Sequence, residues 1–267
     1  MRTQRLTIMI LLAALLGLSL YVYTMPLGQY QDAIINIVFL VAPLVSVIAG
    51  IFAVRAYGMD NIHGNALLYI TLGLASWFVG EAIWAIYELI LRISPYPSIA
   101  DLFYLAAYPL IFIGILREIM NYKTDVNPVR SLVISTISIA LSIMVFNIAI
   151  LPSYSNGSTF LENAIAISYG LGDVMLIVGI SYILMLTMDF RGGKLFYVWL
   201  HIIIAVIFML LGDLFFAIYR EQYEQSILAY KRIDLFWILS YIAFAMGLFE
   251  IHFMIRNIQN KIRQLLD

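Results

Sequence analysis

Charge is scarce in this chain and cysteine is absent. The 267 residues carry 15 Lys and Arg and 16 Asp and Glu, 12% of the total, whereas soluble domains carry roughly 25%. So few charges cannot dress a water-facing surface over a chain that is 63% hydrophobic, which excludes an ordinary soluble domain. The lack of cysteine excludes disulfides, iron-sulfur centres and thiolate zinc sites, and leaves His63, His201 and His252 as the nitrogen ligands. A formal net charge of -1 offers no global field to nucleic acid. P-loop, zinc-protease and nucleophile-elbow motifs are missing, and Arg191-Gly192-Gly193-Lys194 lacks the Walker spacing and reads as a turn. No metal, no cofactor and no enzymatic activity are expected.

Apolar length is what the chain has in abundance. Eight long runs, about 7 to 24, 33 to 54, 66 to 90, 99 to 119, 131 to 152, 162 to 187, 195 to 219 and 234 to 256, are each long enough to cross a bilayer as a helix. Pro- and Gly-marked turns separate them, among them Met25-Pro26-Leu27-Gly28, Ser94-Pro95-Tyr96-Pro97 and Pro152-Ser153-Tyr154-Ser155-Asn156-Gly157. The first run follows Arg2 and Arg5 like a signal peptide, but it is too long for one and no small-x-small site follows, so it is read as a span. Arg2, Arg5, Arg55, Arg117, Lys123, Arg130, Arg191, Lys194, Arg256, Lys261 and Arg263 fall on the side of the termini. Only Arg92, Arg220, Lys231 and Arg232 fall on the other. Retention of basic loops predicts both termini in the cytoplasm. Asn156-Gly157-Ser158 is a formal glycosylation sequon on the outer side, and equally a common Asn-Gly turn.

Sliding the second half over the first reveals an internal repeat. Gly80-Glu81-Ala82-Ile83-Trp84-Ala85-Ile86-Tyr87 aligns with Gly212-Asp213-Leu214-Phe215-Phe216-Ala217-Ile218-Tyr219. After a one-residue insertion, Asp101-Leu102-Phe103-Tyr104, Tyr108 and Gly114 align with Asp234-Leu235-Phe236-Trp237, Tyr241 and Gly247. Shared hydrophobicity does not place acids, tyrosines and glycines in register. The expectation is an all-α polytopic membrane protein of eight transmembrane helices built as two parallel four-helix repeats, residues 1-124 and 125-267, related by a pseudo-twofold axis along the membrane normal.

Trp77-Phe78-Val79-Gly80-Glu81-Ala82-Ile83-Trp84, Pro97 through Leu110 with Gly114, and Tyr169-Gly170-Leu171-Gly172-Asp173 together resemble the multi-helix membrane region that precedes bacterial diguanylate cyclase and phosphodiesterase (GGDEF and EAL) domains. The likeness covers about residues 65 to 250. It implies a sensory region for an unknown ligand, with an output domain attached after the last span. Here the sequence ends soon after that span, so the resemblance implies action through a partner.

A carboxylate at the centre of a bilayer costs about 2.5 to 3.5 kcal/mol even on lenient scales. Glu81 and Asp213 occupy matching repeat positions, and Asp173 lies in mid-span. Glu81, Trp84 and Glu88 share a helix face, with Asp213, Phe216 and Arg220 on its counterpart. This makes Glu88 and Arg220 symmetry mates of opposite charge, expected to pair across the halves. One reading is an outward-opening polar cavity between the halves, lined by Glu81, Trp84, Glu88, Asp101, Tyr108, Asp173, Asp213, Arg220, Asp234 and Tyr241, which takes a small cationic or hydrogen-bonding ligand or conducts protons. The other is that these acids bond to Tyr, Trp and backbone groups as packing glue.

Asp101 and Asp234 also stand where a carboxylate caps a helix, while Tyr21, Tyr23, Trp199 and Tyr230 read as interfacial anchors. His201 and His252 have no counterparts in the repeat and read as packed or interfacial rather than haem-binding. Pro43 and Pro109 are expected to interrupt the second and fourth spans. The tail, residues 253-267, places Ile255, Ile258, Ile262 and Leu265 on one stripe with Arg256, Lys261 and Arg263 between them. That stripe can continue the last span into a short coiled coil that meets a cytoplasmic signalling partner or a second copy in a homodimer, or lie on the membrane surface; the alternative is a helix end merely anchored by its basic residues. Three functions remain open: a sensor or regulatory module, a small-molecule or ion transporter, and a structural or assembly protein.

Overall fold

A computed structural model describes residues 2-120, 127-154, 159-188, 192-225 and 227-266. It is an all-α polytopic membrane fold, with eight helices among the described residues long and apolar enough to cross a bilayer. The elements are α1 (Arg2–Thr24), α2 (Gln31–Tyr57), α3 (Ile62–Ile86), α4 (Ile99–Ile119), α5 (Pro128–Val145), α6 (Phe160–Thr187), α7 (Lys194–Glu224), the single turn α8 (Leu228–Lys231) and α9 (Asp234–Leu266). Large apolar side chains such as Ile10, Ile37, Leu72, Leu102, Leu132, Ile143 and Leu171 face outward, as a lipid-solvated surface requires. The Asn156-Gly157-Ser158 sequon and Arg191 lie outside the described residues.

Local chemistry sets the helix starts. The Asn61 side chain accepts the His63 N–H, and Asn127 accepts Val129 and Arg130 N–H with Pro128 in the first turn. Ser98 with Asp101 and Thr159 with Glu162 form reciprocal capping boxes. Pro43 and Pro109 sit inside unbroken α2 and α4, contrary to expectation. Neighbouring helices in a bundle tolerate the lost N–H. The irregularities occur elsewhere: α3 continues as a π-helical turn, Tyr87–Leu91, that ends on Arg92 in the left-handed region, and α5 continues as another, Phe146–Ile150. The α7 backbone departs from helix at Tyr219, the residue aligned with Tyr87.

Packing joins the two halves through one apolar core that runs from Trp77, Tyr108 and Ile111 to Tyr241, Phe244 and Leu248. Within a half, α3 packs on α2 and α4, and α7 on α6 and α9; between halves, α9 packs on α2 and α4 on α6. Glycines allow the closest approaches. A methyl at Gly114 would meet the Ala66 carbonyl at 2.7 Å, and one at Gly247 the Val198 carbonyl at 3.1 Å. One at Gly80 would strike the Tyr104 ring and one at Gly212 the Trp237 ring. Tyr23 and Trp199, expected at the interface, are instead fully buried. The chain after Phe253 does not leave the bundle as a separate segment but prolongs α9, and Ile258, Ile262, Leu265 and Leu266 are exposed along it.

Candidate functional site

Acids held inside apolar helices need donors, and tyrosine is the donor this chain uses most. On α3, Glu81 accepts the Tyr104 hydroxyl at 2.7 Å and the Tyr241 hydroxyl at 3.1 Å. On α7, Asp213 accepts the Trp237 indole N–H at 2.9 Å and the Tyr108 hydroxyl at 2.8 Å. Each acid therefore takes one donor from the neighbouring helix of its own half and one from the other half. Asp173 on α6 completes this layer, with its carboxyl in hydrogen-bonding contact with that of Asp213.

Nearer the loops, Asp101 accepts the Tyr169 hydroxyl at 2.8 Å and the Ser98 N–H at 2.7 Å. It is thus the third residue of a capping box, not the cap, and a bridge to α6 as well. Asp234 opens α9 but is held by two hydroxyls, Tyr23 at 2.7 Å and Tyr223 at 2.6 Å. The packing-glue reading thus describes real bonds, because these phenols fasten helices to one another.

The ten residues singled out by sequence all line one cavity of about 410 Å³. It opens among the loops that follow α3, α5 and α7, where Tyr96, Pro152, Glu162 and Glu221 form part of its wall. Eight carboxyl groups line it, those of Glu81, Glu88, Asp101, Glu162, Asp173, Asp213, Glu221 and Asp234, against one basic side chain, Arg220. Eleven aromatic rings complete the wall, Trp77, Trp84, Phe216 and Trp237 among them. At the mouth the Arg220 guanidinium lies 5.0 Å from the Tyr96 ring centre and 3.6 Å from Glu224. Burial pushes the Tyr96 phenol up to about 12 against the pull of Arg220, so it stays protonated and donates to the Glu162 carbonyl at 3.3 Å.

The expected Glu88–Arg220 pair is not formed. Glu88 instead accepts Lys231 at 2.6 Å and Asn36 at 2.9 Å. The π turn that begins at Tyr87 and the break at Tyr219 rotate both side chains off the shared helical face just where the pair was placed. Lys231, counted in the sequence as an outer-loop charge, is buried and lies 4.1 Å above the Tyr223 ring. Sequence reasoning also passed over Tyr23, Asn36, Tyr104, Tyr223 and Trp237 as site residues. Tyr104 and Trp237 were nonetheless visible as an aligned pair, and both donate to the acid on the preceding span.

Away from this cavity, His201 and His252 each bond to a backbone carbonyl, of Tyr197 and Phe52 respectively. His63 bonds Glu118 at 3.0 Å near the termini. A second hollow, of about 520 Å³, lies between α1, α7 and α9 beside Arg5, Lys194, His201 and Glu250; none of the ten residues borders it. Among the described residues, no three His, Asp or Glu side chains converge as metal ligands. No family model matches this chain, and neither does any curated protein or solved structure.

Proposed function

We propose that this protein is a membrane sensor or regulatory module that binds a small ligand in the carboxyl-lined cavity and acts on a partner through the opposite end of α9. One observation carries the reading: two of the three acids of the deep layer are each held by both halves, Glu81 through Tyr241 and Asp213 through Tyr108. A ligand that takes over either carboxylate releases a bond between halves, which gives it the differential affinity that a change of arrangement requires. Glue alone does not require an open space of about 410 Å³ inside the bundle, a size typical of small-molecule sites. In this proposal the two halves are four-helix repeats, the cavity faces outward across the cell membrane, and the exposed stripe of residues 258-266 contacts a cytoplasmic partner or a second copy.

The test is a double variant, Glu81→Gln with Asp213→Asn, assayed by thermal shift in detergent micelles against a panel of cationic, neutral and anionic small metabolites. At least one class should stabilise the wild type, and the double variant should lose that shift while keeping a cooperative transition. A wild type that responds to no class overturns the reading. Transport is a second reading with its own support, because the π turns after α3 and α5 and the break in α7 all border the cavity, and irregular helices mark sites in transporters. Protein-dependent uptake of the stabilising compound into proteoliposomes would favour it over sensing.

A further inference from the structure

Building on that reading of the cavity, we infer that its ligand is an organic ammonium ion, which takes the place of a proton between Asp173 and Asp213. Asp173 is 3% exposed and lines the cavity. Among the described residues, no N–H group donates to it. The Tyr108 hydroxyl lies within hydrogen-bonding reach of both acids, but it has one hydrogen to give, and its shorter contact is to Asp213 Oδ2 at 2.8 Å. Trp237 occupies the other oxygen of Asp213 at 2.9 Å. What remains for Asp173 is the Asp213 carboxyl itself, and two carboxyls hydrogen-bond only with a proton between them. An ammonium group offers several N–H donors and a full charge, so it satisfies both acids at once and sends the proton to solvent.

The surroundings select for that chemistry. Arg220 is engaged at the mouth by Glu224 and Tyr96, and Lys231 is held by Glu88, so neither base neutralises the deep pair. The groups that face the pair are Tyr169 on α6, Tyr108 on α4, Glu81 on α3, and Trp237 and Tyr241 on α9. They are phenols, an acid and a neutral indole, and none brings a positive charge. Aromatic faces bind ammonium carbon skeletons and charge together, and the volume is far larger than a bare inorganic cation needs.

Isothermal titration of the full chain in micelles, between pH 6 and 8, tests this with three probes of matched shape: phenethylammonium, 2-phenylethanol and 3-phenylpropionate. The ammonium should bind and the others should not. Its affinity should fall by up to about tenfold for each pH unit of acidification, since one proton leaves for each cation bound. Buffers of different ionisation enthalpy should register that released proton. Asp173→Asn, whose amide can donate to Asp213, should preserve the unliganded transition, abolish proton release and weaken the ammonium by about tenfold or more. Binding of the alcohol or the acid in its place, with loss in the Glu81→Gln, Asp213→Asn variant, overturns the cation while the cavity reading stands. Ammonium binding without proton release, or undiminished in Asp173→Asn, overturns the exchange. Binding of no probe, alongside no response to the wider panel, removes the cavity reading itself.

Discussion

Lys231 shows how much one buried charge depends on its partner. Its ammonium sits 2.6 Å from Glu88, with the lysine side chain 6% exposed and the glutamate 20%, so the lysine end of the pair is shielded from water. Removing one member of such a pair leaves the other charge uncompensated, at a cost of about 3 kcal/mol or more, whereas removing both is far milder. Lys231→Met should therefore lower the thermal transition in micelles markedly, and Lys231→Met with Glu88→Gln should recover most of the loss. A single variant as stable as the wild type would show that the pair contributes little. Glu88 was legible in the sequence as a costly acid near a span end, but its partner was not. Repeat symmetry pointed to Arg220, while Lys231 stands 143 positions along the chain, on a one-turn helix whose inward aim no periodicity encodes. The deep acids were easier to read, because Glu81, Asp213, Tyr108 and Tyr241 recur in register and a bilayer penalises each carboxylate enough to demand donors.

The approach of α3 to α4 rests on small residues at the crossing. A methyl at Gly114 would meet the backbone carbonyl of Ala66 at 2.7 Å and the Ile70 side chain at 2.6 Å, so the helices must separate to admit it. Gly114→Ala should cost about 1 to 3 kcal/mol, the usual range for overpacking. Gly17→Ala in α1, with nothing within 4 Å of the added atom, should be neutral or slightly stabilising. Chemical unfolding of the two variants side by side checks the contrast, and equal stabilities would refute it. The eight spans were legible because apolar runs of this length have one stable outcome in lipid. The π turns and the break at Tyr219 were not, since a run of Ile, Leu and Phe reads the same in either winding. Continuous helices through Pro43 and Pro109 were hidden for a related reason: whether neighbours can absorb a missing N–H is decided by packing, which one helix's sequence does not carry.

Taken together, the chain has a polar end and a plainer one. The cavity opens among the loops after α3, α5 and α7, while the basic residues gather at the end of the termini, the end that the proposed orientation assigns to the cytoplasm. The native chain has no cysteine, so a single Ser94→Cys or Asp60→Cys substitution, both exposed and on opposite ends, reports its side without background. An impermeant thiol reagent applied to intact cells should label Ser94→Cys alone, and the reverse pattern would invert the orientation. One further consequence follows from α9, whose 33 residues make a rod of about 50 Å across a hydrocarbon layer of about 30 Å. Its first turns carry Asp234, Trp237 and Tyr241 into the cavity wall, and at Gly247 it leans on the Val198 carbonyl of α7. Measured from that contact, the rod runs about 20 Å to Asp234 and about 29 Å to Leu266. A tilt about that contact would move the two tips in opposite directions, so an inward pull on Trp237 or Tyr241 would emerge at the exposed end as a larger outward swing.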